Sequence, residues 1–175
     1  EADGGGGIQR RTAGPLLGKI RGCFDGQAAP RRSREFGCGT GFLPDLLRRQ
    51  WPDAELIATD LASEMLGQAR KRCGDGVSFM PMDAAAPGMT EGLSGPFDLI
   101  CGNLALQWIT PQERALEALS GLLAPMALLA VSTLASGSFG EWRLAHEESG
   151  VRAGLRAYPD RAAYRHGGPL AAGRM

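Results

Sequence analysis

The sequence predicts an α/β domain with a mostly parallel sheet and helices on both faces, and three observations carry that reading. Short apolar runs of strand length, ELIAT (55–59), VSFM (77–80), FDLIC (97–101) and MALLAVST (126–133), alternate with stretches of helical periodicity, the pattern of βαβ units. The last run is continuously apolar, as expected when both faces of a sheet are covered. Gly37, Gly39 and Gly41 stand at alternate positions just before the first clear helix.

Residues 1–34 are rich in Gly, Ala and Arg. Ile8, Leu16, Leu17 and Ile20 give only a faint helical stripe, interrupted by Pro15, so this stretch reads as a weakly defined arm or helix. PRRSREF (30–36) occupies the place of a first, central strand, yet it packs Arg31, Arg32, Arg34 and Glu35 close together. Burying such charges without partners costs several kcal/mol, so a strand that is short, frayed or absent is expected there.

Phe42, Leu43, Leu46 and Leu47 form the apolar face of a helix that runs towards Arg49 and is closed by Trp51-Pro52. A second helix spans Ser63 to Arg72, with Met65, Leu66 and Ala69 on one side. Thr110-Pro111-Gln112-Glu113 opens the clearest one: Thr can cap, Pro suits the first turn, and Glu three residues on completes a capping box. Leu116, Leu119 and Leu123 recur on its buried face. A helix over Glu141 to Glu148 follows, and no strand is legible after Gly150. MALLAVST is therefore expected to lie at an exposed apolar edge. With 175 residues the chain suits one domain, divided into an arm (1–34), an α/β core (35–140) and a C-terminal helix with a loose tail (141–175).

Formal charge balances at 19 against 19, so the chain as a whole has no electrostatic reason to seek nucleic acid or an anionic membrane. Before Glu35, however, Arg10, Arg11, Lys19, Arg21, Arg31, Arg32 and Arg34 face only Glu1, Asp3 and Asp25; a solvated surface or an acidic partner fits this bias. Cys23, Cys38, Cys73 and Cys101 are widely spaced without a CxxC pair, and His146 and His166 are the only histidines. No metal site is expected, and reduced thiols in a cytoplasmic protein fit better. The longest apolar stretch, Leu122 to Val131, contains Pro125 and is too short to cross a bilayer. The chain opens at Glu1 without Met, as a processed or shortened form would.

Glycine spacing alone decides nothing: in a chain with 26 glycines, such a triplet arises by chance about 0.5 times. Its position is more telling. A glycine loop between the first strand and first helix lets backbone approach a ligand, while the helix N-terminus offers free N–H groups to negative charge or hydroxyls. A dinucleotide fingerprint needs a third glycine at 42, which is Phe; the spacing is instead acid-x-G-x-G-x-G, led by Glu35. Asp60, 19 positions after Gly41, either accepts hydrogen bonds from a ribose or caps the next helix. Asp83 reads as a contact to an adenine amino group or as a plain turn aspartate. Asn103 lies at the carboxyl end of another strand, where open α/β sheets bind ligands.

EFGCGTGF, ATDLASEML, CGNLALQW and AVSTLASGSFGEW together resemble the class I S-adenosylmethionine-dependent methyltransferases, and most closely the malonyl-acyl-carrier-protein O-methyltransferases of biotin synthesis. The first two segments are common to the superfamily; NLALQW and the STL stretch followed by Gly-Ser-Phe-Gly-Glu-Trp point to the biotin branch. The resemblance implies a Rossmann-like class I methyltransferase fold, here apparently without its last two strands. It implies S-adenosylmethionine as cofactor, with Glu35, Gly37, Cys38, Gly39 and Gly41 at its methionine part, Asp60 at the ribose, Asp83 at the adenine amine, and Asn103 with Leu104 beside the donor methyl; Leu61 and Ala84 belong to the same cofactor-binding set. Gln107 and Trp108 would wall the pocket, Trp108 being equally readable as a core aromatic.

The implied reaction esterifies the free carboxyl of a malonyl thioester on acyl carrier protein or coenzyme A. Arg143 is the candidate cation for the malonyl carboxylate, and the N-terminal Arg cluster a candidate dock for an acidic carrier. Two family features are replaced: a glycine pair by Met126-Ala127, and an N-terminal Tyr-Asp lid by Ala2-Asp3. The alternatives are a methyltransferase for another small carboxylate or nucleophile, and a cofactor-binding remnant without turnover.

Overall fold

The computed structural model describes residues 7–87, 94–160 and 162; Ala2-Asp3 and His166 lie outside them. The elements in chain order are α1 (Gly7–Phe24), β1 (Arg32–Phe36), α2 (Phe42–Gln50), β2 (Glu55–Asp60), α3 (Ser63–Cys73), β3 (Ser78–Pro81), β4 (Phe97–Asn103), a 3-10 turn (Leu106–Trp108), α4 (Gln112–Ser120), β5 (Leu123–Ser132) and α5 (Gly140–Glu148). The strands form one parallel sheet in the order β3-β2-β1-β4-β5. Order reverses beside β1, which makes the carboxyl ends of β1 and β4 a topological switch point.

Strand alternation sorts the core into two layers. Leu56 and Ala58 of β2, Leu99 and Cys101 of β4, and Leu128 and Ala130 of β5 face α1, α2 and α3. Ile57, Ile100, Leu129 and Val131 face the other way and pack with Phe36, Phe97 and Leu119 of α4. Helices thus cover both faces, as expected. β5 pairs with β4 alone among the described residues, and none of its side chains is fully buried.

Two expectations about the first 36 residues are corrected. The weakly defined arm contains an 18-residue helix, α1, that continues through Pro15. Pro15 removes one helical hydrogen bond, but Ala13, Leu16 and Ile20 recur on one face and pack fully against Leu43 and Leu47 of α2, and that burial outweighs the lost bond. Phe24 closes the contact edge-to-face on Trp51, ring centroids 5.5 Å apart.

The charged segment, expected to hold a strand that is short, frayed or absent, forms the five-residue central strand β1, paired with β2 and β4 on either side and therefore not frayed. Its polarity is satisfied only in part, at its amino end, and Ser33 Oγ and Glu35 Oε2 are buried without a partner among the described residues. Asp98 Oδ2 accepts the N–H groups of Arg31 and Arg32 at 2.8 and 2.9 Å, and Arg32 bridges to Glu55 at 2.9 Å and donates to Ser94 O. Arg34 differs: it is wholly buried between Ile57 and Ile100, and none of its three guanidinium nitrogens has a hydrogen-bond partner. Burial pulls its pKa down to about 10, and among the described residues its electrostatic relief is the Phe97 ring, whose centroid lies 5.6 Å from the guanidinium carbon.

The capping box does not form. Pro111, extended at φ −77° and ψ 139°, is itself the residue preceding α4, and no side chain caps that helix, so Thr110 stands one position too early. At β5, Asp98 alone stands opposite Ala124 to Ala127, because Phe97 pairs with Leu123 and Leu99 with Leu128. Met126, where the resembled family has glycine, sits in this irregularity at φ 64° and is 72% exposed.

Two stability outcomes are expected. Arg34→Leu should raise the unfolding free energy by about 2 kcal/mol, because a lost apolar-face charge leaves nothing unpaired behind. Met126→Gly should raise it by about 1 kcal/mol, since the left-handed conformation costs an L-residue that much and no buried contact is removed. Urea midpoints compared at constant m-value check both.

Candidate functional site

The site begins where β1 ends. Gly37, Gly39 and Gly41 all take left-handed conformations, at φ 62°, 52° and 86°, so the spacing reflects backbone need. Two are also bound by space: a side chain on Gly37 would collide with Ala105, and one on Gly41 would reach 2.9 Å from the Ala69 backbone. The loop they form is fastened on several sides. Cys38 N–H donates to Thr59 O at 2.9 Å, Arg72 Nε donates to Thr40 O at 2.8 Å while stacking on Phe42, and Cys73 lies against Gly41.

Asp60, at the end of β2, is the main fastening. Its Oδ2 accepts Gly39 N–H at 2.8 Å and its Oδ1 accepts Ala62 N–H at 2.9 Å. It holds the loop and the start of α3 together, and each oxygen keeps a second lone pair for an incoming hydroxyl. Leu61, next along, is 73% exposed. Met82 N–H donates to Asp60 O, which brings the end of β3 alongside; there Asp83 is exposed, with Oδ1 accepting Ala85 N–H, and Ala84 packs inward. Asp83 is thus an exposed turn aspartate on the same rim.

Asn103 closes the crevice on the β4 side. Its Nδ2 donates to Gln9 O at 2.9 Å and its Oδ1 accepts Ser132 Oγ–H at 2.7 Å. Leu104 follows at φ 54°, its N–H directed at Ser132, and Gln107 Nε2 donates to Leu104 O. Trp108 is 74% exposed, which removes its reading as a core aromatic: the 3-10 turn sends Leu106 inward and Trp108 out.

Two polar atoms beside the loop are buried and unpartnered, Glu35 Oε2 and Thr40 Oγ1. Burial, and secondarily Asp60, pushes the Glu35 carboxyl well above its ordinary range. The Cys38 and Cys101 thiols are also pushed up by burial, and Cys73 to about 11, so these thiols stay protonated and serve as filling. All four cysteines are free, and among the described residues no cluster of His, Cys, Asp and Glu is placed to hold a metal.

Glu35, the glycine loop, Asp60, Leu61, Asp83, Asn103 and Leu104 therefore share one rim of the sheet. Arg143 does not join them. It lies on α5, half-exposed, in an open groove of about 780 Å³ lined by His146, Glu147 and the returning segment 150–157. Gln9 and Ser132 were not visible as site residues in the sequence, Gln9 because it lies in a stretch whose helix was faint, and Ser132 because a lone strand-end serine carries no pattern.

The family model described as "Methyltransferase domain" matches residues 35–126, more than half of the chain. The chain belongs to this methyltransferase domain family. It is 38% identical over 161 residues to the biotin biosynthesis bifunctional protein BioCD of Bordetella avium, covering 91% of this chain and 33% of that one. It is 39% identical over 136 residues to the malonyl-[acyl-carrier protein] O-methyltransferase of Magnetococcus marinus, covering 75% and 49%. The chain thus spans a third to about half the length of these relatives. The solved plantazolicin methyltransferase BamL, in complex with a triazolic desmethylPZN analog and SAH, superposes with a TM-score of 0.70 at 20% identity, over 90% of this chain and 59% of that one. The methyltransferase fold expected from the sequence is the fold observed. No described helix is long and apolar enough to cross a membrane.

The buried Glu35 gives the methyltransferase domain a pH signature. A folded pKa raised above the ordinary 4.5 means that stability present at low pH is lost as pH rises through the folded value. Glu35→Gln should therefore be more stable than the parent chain at pH 7, with the difference shrinking towards pH 4, as read by chemical denaturation at both.

Proposed function

We propose that this chain is the cofactor-binding part of an S-adenosylmethionine-dependent O-methyltransferase that esterifies the free carboxyl of a malonyl thioester on acyl carrier protein. The observation that carries the reading is the cradle itself, three left-handed glycines pinned by the Asp60 carboxylate beside a buried, unpartnered Glu35 oxygen. The names of the curated relatives support the choice of substrate.

The residues present fit the cofactor. Glu35 Oε2 is a buried acceptor suited to an ammonium group, and Thr40 Oγ1 with the N-terminal amides of α2, which no side chain caps, suit a carboxylate. Asp60 has lone pairs left for the ribose hydroxyls, Asp83 an exposed carboxyl for an amino group, and Leu61 an exposed apolar surface for a purine. When bound, S-adenosylmethionine supplies an electrophilic methyl carried on a sulfonium. Asn103 and Leu104 are the residues assigned to that end.

The chain's remaining task is alignment. A substrate carboxylate, with an unperturbed pKa near ~4, is already ionised at neutral pH, so no general base is required. Holding nucleophile and methyl in line is worth about 7–11 kcal/mol. Arg143 is the proposed partner of the malonyl carboxylate, and its groove also carries Arg152 and Arg156, a cationic setting that suits an acidic carrier or its anionic arm.

A mass gain of one methyl on malonyl-acyl carrier protein is the expected result when protein and S-adenosylmethionine are supplied, and its absence with every carboxylate offered, despite cofactor binding, would leave a binding domain without turnover. Asp60→Ala should weaken S-adenosylhomocysteine binding at least about tenfold, in line with loss of a charge-assisted hydrogen bond. Calorimetric titration reads this, and an unchanged affinity removes Asp60 from the site.

A further inference from the structure

From the position of Gln9 we infer that its side-chain amide is a cofactor-binding group, donating from Nε2 to the carboxylate at the amino-acid end of the bound nucleoside. This deepens the reading of the crevice given above and rests on it. Gln9 belongs to α1, 30 positions before Gly39 in the chain, yet both heteroatoms of its amide lie 3.5 Å from the place where a side chain on Gly39 would begin. The three heavy atoms nearest that place all belong to this amide. The amide is half-buried and makes no hydrogen bond to another described residue, although its donor and acceptor stand over the loop.

The position is enforced. Asn103 Nδ2 holds the main-chain oxygen of Gln9 at 2.9 Å, and Ser132 Oγ holds Asn103 Oδ1 at 2.7 Å. Ser132 in turn accepts the N–H of Leu104. The ends of β4 and β5 thus clamp the first turn of α1 above the glycine loop, and Asn103, with both side-chain ends engaged, acts as a positioning residue. Ala13, Leu16 and Ile20 fasten the remainder of α1 to the core, so the amide is presented by a rigid element.

The acceptors around the loop select which end of an amino acid Gln9 meets. Asp60 fastens the loop from below and Glu35 Oε2 lies buried beside it without a partner, so the floor offers acceptors to an ammonium group. A carboxylate is left to the amides of the loop and to a neutral donor from above, and the Gln9 Nε2 hydrogens are that donor.

Binding of two nucleosides separates a contact from a scaffold role. S-adenosylhomocysteine carries the amino-acid end, and 5′-methylthioadenosine lacks it. Gln9→Ala keeps a good helix former at a half-exposed site; it should weaken S-adenosylhomocysteine about tenfold while leaving 5′-methylthioadenosine within twofold of the parent protein. Gln9→Glu, which places a negative charge over the loop, should weaken the first ligand further than Ala does and again spare the second. Equal loss of both ligands in Gln9→Ala, or no loss of either, overturns the assignment. Binding of neither nucleoside to the parent protein overturns the crevice reading itself, and Gln9 with it.

Discussion

The hydrogen bond from Gly39 N–H to Asp60 is the contact on which the site depends, because it joins the two strand ends that have to act together. Three left-handed residues in five positions make a backbone with few internal constraints. Left alone, such a loop would sample many shapes. A single carboxylate at the end of the neighbouring strand selects one of them and, through Ala62, sets the start of α3 at the same time. The cradle and the acidic side chain beside it are therefore one mechanical unit. Cys38 N–H on Thr59 O and Arg72 on Thr40 O extend that unit to both sides.

What the sequence disclosed and what it hid divide along physical lines. The helices α2 and α3 and the strands β2, β3 and β4 were legible within a residue or two, because their apolar positions recur at the period of the element. The loop was legible through Asp60, whose spacing from Gly41 has a structural meaning that glycine counts lack. α1 was hidden because one of its three core contacts is an alanine and a proline sits mid-helix; only tertiary packing on α2 makes it a helix. β1 was hidden because its charges argue for solvent, and the residues that satisfy its amino end, Asp98 on main-chain N–H groups and Glu55 on the Arg32 guanidinium, are distant in the chain. The misread start of α4 has a local cause: Pro111 is extended, which displaces Thr110 from the capping position.

β1 shows how topology overrides composition. A central strand in a sheet covered on both faces cannot turn its side chains to water, so Arg34 and Glu35 are carried into opposite layers of the core. Glu35 lies at the start of the glycine loop with one carboxyl oxygen unpartnered. Arg34 faces Ile57, Ile100 and Phe97, and nothing in the structure gives its charge a function. The two residues are adjacent in sequence and equally buried, yet only one lies beside the crevice.

The irregularity around Met126 also shapes the outer border of the sheet. Four residues of β5 bow away opposite Asp98, and regular pairing resumes only at Leu128 and runs to Ser132. A backbone approaching from outside would find about five residues of straight ladder, some 17 Å of strand at ~3.3 Å per residue, before meeting a kink that breaks the rhythm of donors and acceptors. The kink therefore works as a built-in stop, confining any added strand to the half of β5 nearest the crevice.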